Sequence, residues 1–252
     1  MTRHSVVELR GAWRAVQADE FATAPHRVQA PVESRANIWV PSSGERVVAV
    51  VGCAGGVGAS TLSLALATAT GAPARVVECC PALGSGFSAA ATAELGVRGG
   101  WRRGKRGSVI LERRAGDDQA VPLPVLPSIE WSILDTSWAT LVDPGPSWLR
   151  SILRTMDDVV LVTRATVPGL RSLESCADLI GHEVLGVVLG PGARRWPRPV
   201  RVAAAALPTQ MRLVDFPSDP RLHVTGLSPD PLSAPLLRAA EKVLALLRKE
   251  AS

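Results

Sequence analysis

The chain has no tyrosine, three phenylalanines and a single asparagine, Asn37, so aromatic and amide chemistry is scarce beyond its seven tryptophans. Lysine is nearly missing too: Lys105, Lys242 and Lys249 are the only three, and arginine supplies the other 25 of the 28 basic residues. Genome composition explains that bias as well as function does. No apolar run approaches the roughly 18 residues a spanning helix needs, and the start lacks a basic segment followed by an apolar stretch. The expectation is a cytoplasmic protein with no membrane span and no signal peptide. Four cysteines, Cys53, Cys79, Cys80 and Cys176, show neither C-x-x-C spacing nor the density of a disulfide scaffold, which argues for reduced thiols. His4, His26, His182 and His223 are scattered, so a Cys/His metal centre is not expected.

With 252 residues, 46% hydrophobic and 20% charged, the chain can bury one good α/β core. A net charge of +5 and a pI near 9.6 suit an acidic partner, whether nucleic acid, anionic lipid or acidic protein.

The most informative stretch covers residues 47–70. An apolar run at 47–51 reads as a buried strand, and Leu62, Leu66 and Ala69 have the spacing of a helix face. Between them lies AGGVGAST, residues 54–61. Glycines in a strand-to-helix loop let successive backbone N–H groups turn toward one anion, assisted by the positive end of the helix. Gly55, Gly56 and Gly58 stand where such a phosphate cradle needs them.

This segment resembles the phosphate loop of the ParA/MinD family, the deviant Walker A ATPases that position plasmids, chromosomes, and division or secretion machinery. The family reads KGGxGKST or KGGxGKTT, so Gly55, Gly56, Val57, Gly58, Ser60 and Thr61 match. Ala54 replaces the signature lysine that would reach across a dimer, and Ala59 replaces the lysine that would contact the terminal phosphates. Each lost charged hydrogen bond is worth about 1.5–3 kcal/mol. ATP and magnesium are therefore expected to bind weakly, and hydrolysis to suffer more, because those cations also stabilise charge in phosphoryl transfer.

The resemblance implies further positions. VVECCP, ending at Pro81, lies where relatives read VDxDP, so Glu78 and Cys80 replace two aspartates. WSILDT ends in Asp135, the magnesium-side carboxylate in relatives, which with Ser60 makes the implied metal pair; a strand-end cap is the alternative reading of Asp135. Gly190 stands where an asparagine would contact adenine, while Pro217 and Asp219 partly match the segment over the adenine ring. With Ala59, these complete the expected nucleotide site.

Strands are expected at 47–51, 74–78, 131–135, 158–163, 184–189 and 212–216, with helices at 85–95, 147–155, 167–180 and 231–248. That alternation predicts an α/β, mostly parallel doubly wound sheet with helices on both faces, the P-loop NTPase-like arrangement. It would occupy residues 46–252, behind an N-terminal arm, 1–45. Val6, Leu9, Trp13 and Val16 give the arm a short amphipathic helix, and Pro25, Pro31 and Pro41 mark a linker.

Two basic clusters each hold a tryptophan. Trp101, Arg102, Arg103, Lys105 and Arg106 sit between glycines, and Arg194, Arg195, Trp196 and Arg198 repeat the theme. Read as loops, they offer phosphate contacts and base stacking to DNA or another acidic partner, or else are solvated surface. The resemblance and the missing lysines together suggest a degenerate, partner-binding or positioning protein acting in DNA segregation, conjugative transfer or a secretion-linked complex. A protein partner and a homodimer are expected. An ATP-binding switch with weak or partner-dependent hydrolysis is one alternative, and a nucleic-acid-binding protein using the basic tryptophan loops is another.

Overall fold

The computed structural model describes residues 39–250 apart from 81–83, 117–119, 125–128 and 144–146. The arm helix, most of the linker and Pro81 lie outside the described residues.

Nine strands form one sheet in the order β3-β4-β5-β2-β6-β1-β7-β8-β9. They are β1 (Arg46–Gly52), β2 (Ala74–Glu78), β3 (Ala93–Arg98), β4 (Trp101–Arg106), β5 (Val109–Arg114), β6 (Trp131–Ser137), β7 (Val159–Arg164), β8 (Leu185–Leu189) and β9 (Arg212–Phe216). From β5 to β9 every neighbouring pair is parallel, while β3, β4 and β5 pair antiparallel at one edge. The sheet is thus mostly parallel, as its near-continuous apolar strands require when both faces are covered.

Strand alternation divides the core into two layers. Val48 and Val50 of β1 face one layer with Leu62, Leu66, Leu236, Val243 and Leu244. These come from α1 (Ala59–Ala69) and the long C-terminal helix (Ala234–Glu250). Ala49 and Val51 face the opposite layer, with Leu149, Leu153, Leu170, Leu173, Ile180 and Val200. Its helices, besides the short α2 (Ala139–Val142), are α3 (Trp148–Leu153), α4 (Val167–Ile180) and α5 (Arg198–Ala205). The remaining helices are α6 (Pro220–Thr225) and α7, the C-terminal one. Among the described residues no helix is long and apolar enough to cross a membrane.

Two sequence expectations fail here. Residues 85–95 are not a helix but turns leading into β3, an edge strand exposed along its whole length. The 99–108 segment is not a loop: it contains β4, paired on both sides. Of its charges, Arg103 Nε meets Glu112 of β5 at 2.8 Å, and beside β4 the Arg113 guanidinium of β5 grips both oxygens of Glu94 of β3 at 2.6 Å.

Arg75 anchors a second buried network near the starts of the strands. It donates to Glu45 at 2.7 Å, to Ser132 Oγ at 2.6 Å and to Glu112 at 3.4 Å, and its guanidinium lies 5.6 Å from the Trp39 ring centre.

Candidate nucleotide-binding cleft

β1 is central, and its carboxyl end runs straight into the glycine loop. Gly58 holds φ +90°, a left-handed conformation at the N-cap of α1 that a side chain would strain. The first intrahelical bond runs from Leu62 N–H to Gly58 O at 2.9 Å. The N–H groups of Ala59, Ser60 and Thr61 consequently have no intrahelical acceptor, and these three residues line a cleft of about 710 Å³. Residues 54–61 line it, together with Asp135 from β6, Arg164 from β7, Leu189 from β8 and Phe216 from β9. The cleft therefore sits at the carboxyl edge of the parallel strands, where open α/β sheets carry ligands.

Neighbouring strands place the hydroxyl and carboxylate together. Parallel pairing sets Asp135 beside Val50, one short turn from the loop. Ser60 Oγ donates to Asp135 Oδ2 at 2.7 Å and Ser63 Oγ to Oδ1 at 3.2 Å. Burial pushes the Asp135 carboxyl up to about 7, with the nearby Glu78 adding to the rise while the two serine hydroxyls oppose it. These are hard oxygen donors of the sort magnesium takes alongside phosphate. Ser60 and Asp135 are the residues that would hold that ion, and the donor chemistry fits it.

Cys80 lines the same cleft without offering an aspartate's function. Burial, then the charges of Asp135 and Glu78, push its thiol up to about 12, so it is neutral and no base at physiological pH. Glu78 is engaged elsewhere: it accepts from Ser85 Oγ at 2.7 Å and from Gly86 N–H at 2.6 Å, and burial raises its carboxyl. Among the described residues no group of three or more His, Cys, Asp and Glu side chains could hold a metal ion.

On the far side, Pro217 and Asp219 line the cleft, and Asp219 caps α6 by accepting from Arg221 N–H at 3.0 Å. At Gly190, with φ +149°, any side chain is strained, and a Cβ there would meet the Ala165 Cβ at 3.0 Å, so that neighbour would have to give way. Trp138, 46% exposed, lines the cleft, and its backbone N–H donates to Gly52 O at 2.9 Å.

The expected base-stacking tryptophans are elsewhere and unavailable. Trp101 is fully buried on β4, its indole N–H donating to Leu123 O at 3.0 Å. Trp196 is buried too, donating to Pro191 O at 2.7 Å. An indole is most stable with its ring in the core and its N–H paired, and both satisfy that rule. Arg106 donates to Asp230 O. Arg102, Lys105, Arg194, Arg195 and Arg198 do point outward, as exposed charge without the aromatic surface.

One residue in the cleft carries no sequence signal. Arg164, the last residue of β7, donates through Nε and Nη2 to the Gly56 carbonyl at 3.1 and 2.6 Å. Only the folded approach of two segments 108 positions apart reveals it.

The mostly parallel sheet order, with a glycine loop opening α1 at its carboxyl edge, makes an α/β fold of the P-loop NTPase-like kind. The fold is shared with a plasmid partition protein of Borrelia burgdorferi solved bound to AMPPNP, at a TM-score of 0.52 and 13% identity, over 82% of this chain and 99% of that one. A plasmid partition protein structure from Borrelia burgdorferi at 2.25 Å resolution aligns over the same shares at 13% identity with a TM-score of 0.49. No protein-family profile matches the sequence, and no curated protein matches it.

Proposed function

We propose that this chain is a ParA/MinD-like P-loop protein with degenerate ATPase chemistry, acting in the cytoplasm as a partner-binding or positioning factor in DNA segregation. The observation that carries the reading is the cleft itself. The loop, Ser60 and Asp135 keep the arrangement for a magnesium nucleotide, whereas alanines stand at both lysine positions, 54 and 59, on the same wall. The partition protein of similar fold binds AMPPNP, which supports a nucleotide as ligand here.

In this reading the backbone N–H groups of the loop hold phosphates, Ser60 and Asp135 orient magnesium, and the cleft positions the nucleotide without driving its cleavage. Magnesium, when bound, neutralises phosphate charge. Neither residue at the two aspartate positions of the resemblance serves as a general base, since Cys80 is neutral and Glu78 is occupied. The bound nucleotide then serves to set the shape of the rim offered to a protein or DNA partner.

Calorimetry of the purified chain with magnesium and ATP tests this. Weak binding, in the high-micromolar range or beyond, with no turnover is expected. Micromolar affinity with sustained hydrolysis by the unaided chain overturns the reading.

A further inference from the structure

We infer that Arg164 is the chain's own phosphate-binding cation, taking over from the other side of the cleft the charge that the glycine loop has lost. The inference rests on the reading of the cleft as a nucleotide site and names the group that would meet the terminal phosphates of a nucleoside triphosphate.

Three observations converge. Among the described residues that line the cleft, Arg164 is the only arginine or lysine. Its guanidinium already lies on the loop, bonded to the Gly56 carbonyl by Nε and Nη2, with Nη2 3.8 Å from where a Cβ of Gly56 would stand. Its backbone is fixed on the sheet, paired in register with Leu189 at the end of β7, beside β1.

A guanidinium carries five N–H donors in a planar fork. The Gly56 carbonyl takes two, and the remaining three suit the paired oxygens of a phosphate, a geometry arginine serves better than lysine does. Arg164 is also exposed, so it can swing from the carbonyl onto an incoming anion. A loop lysine would rise from the helix start, as at Ala59, but Arg164 approaches from a different strand, so the exchange moves the cation without altering the loop backbone.

A brace that merely holds the loop predicts something different, and the length of the phosphate chain separates the two roles. Wild type, Arg164→Ala and Arg164→Lys are titrated with magnesium-ATP and with AMP by equilibrium dialysis. As a phosphate ligand, Arg164→Ala weakens ATP binding about tenfold to a hundredfold, leaves AMP binding within about twofold, and Arg164→Lys recovers part of the loss. An equal fall for ATP and AMP makes Arg164 a structural brace and overturns the inference. So does ATP binding that is unchanged or stronger in Arg164→Ala. Both of those results leave the cleft standing as a nucleotide site. Absence of ATP binding in the wild type, in Arg164→Ala and in Ala59→Lys alike overturns this inference together with the nucleotide reading beneath it.

Discussion

Two carboxylates lie buried in the same sheet, and they are treated in opposite ways. Glu112 on β5 is fully enclosed, and Arg75 and Arg103 flank it at 3.4 and 2.8 Å. Asp135 on β6 is just as enclosed, yet its direct partners are the hydroxyls of Ser60 and Ser63, and the carboxylate Glu78 adds to its burden. Burial raises both groups, but only at Glu112 do cations oppose the rise. A charge kept for stability is neutralised by the chain itself. Asp135 has, among the described residues, no cation as a hydrogen-bond partner, and holding its charge in that enclosure comes at a cost in stability.

The contrast breaks most visibly at Arg75. Arg75→Met takes from Glu45 its cation and from Glu112 the more distant of its two, leaving Arg103 in place, and breaking such a buried pair costs about 3–5 kcal/mol. Urea unfolding should show that loss; a change below about 1 kcal/mol would mean the network is not what neutralises Glu112.

Ala59→Lys tests the other member by supplying a cation at the cleft. Calorimetry should find ATP bound about tenfold to a hundredfold more tightly, the value of one charged hydrogen bond. Unchanged affinity would mean that the loop does not accept phosphate in this geometry.

The third change removes the charge instead of pairing it. The Asp135 carboxyl titrates near 7 in the folded chain against 3.8 for the ordinary group. Folding therefore takes up a proton between those values, and stability falls as pH rises from roughly 4 to 7. Asp135→Asn keeps a hydrogen-bonding side chain without the charge. Its thermal stability should exceed the wild type's, with the advantage growing by about 2 kcal/mol between pH 5 and pH 8 at about 1.36 kcal/mol per unit. An advantage independent of pH would show that ionisation of Asp135 is not the source.

The smallest effect belongs to the exposed charges of β4. Arg102→Ala with Lys105→Ala should change unfolding stability by less than about 0.5 kcal/mol. The same double variant shows whether DNA retention on a phosphate matrix depends on that surface, since phosphate contacts weaken steeply with salt. Retention unchanged at low salt would place any DNA contact elsewhere.

Much of this was legible in residue order. The central strands announce themselves because a strand buried on both faces is apolar at every position, as β1, β7 and β8 are at their cores. The loop is legible because its glycines serve a local backbone shape. β4 is not, for the sequence WRRGKR has the composition of solvent-exposed chain; what makes it a strand is Glu112 and the pairing on either side, and Glu112 is met only after the chain turns back. Trp101 and Trp196 mislead for a related reason, since adjacency to arginines says nothing about which side of a strand or turn faces the core. Arg164 was invisible because its importance comes from the Gly56 carbonyl, which no sequence pattern ties to it.

The close approach of Gly190 to Ala165 restricts what residue 190 can become. A Cβ placed at 190 would meet the Ala165 Cβ at 3.0 Å, on a backbone whose φ of +149° side-chain-bearing residues rarely adopt. A side chain at 190 therefore requires Ala165 to give way by a few tenths of an ångström and the main chain to turn, so a change at this strand end is coupled to the start of the segment that leads into α4.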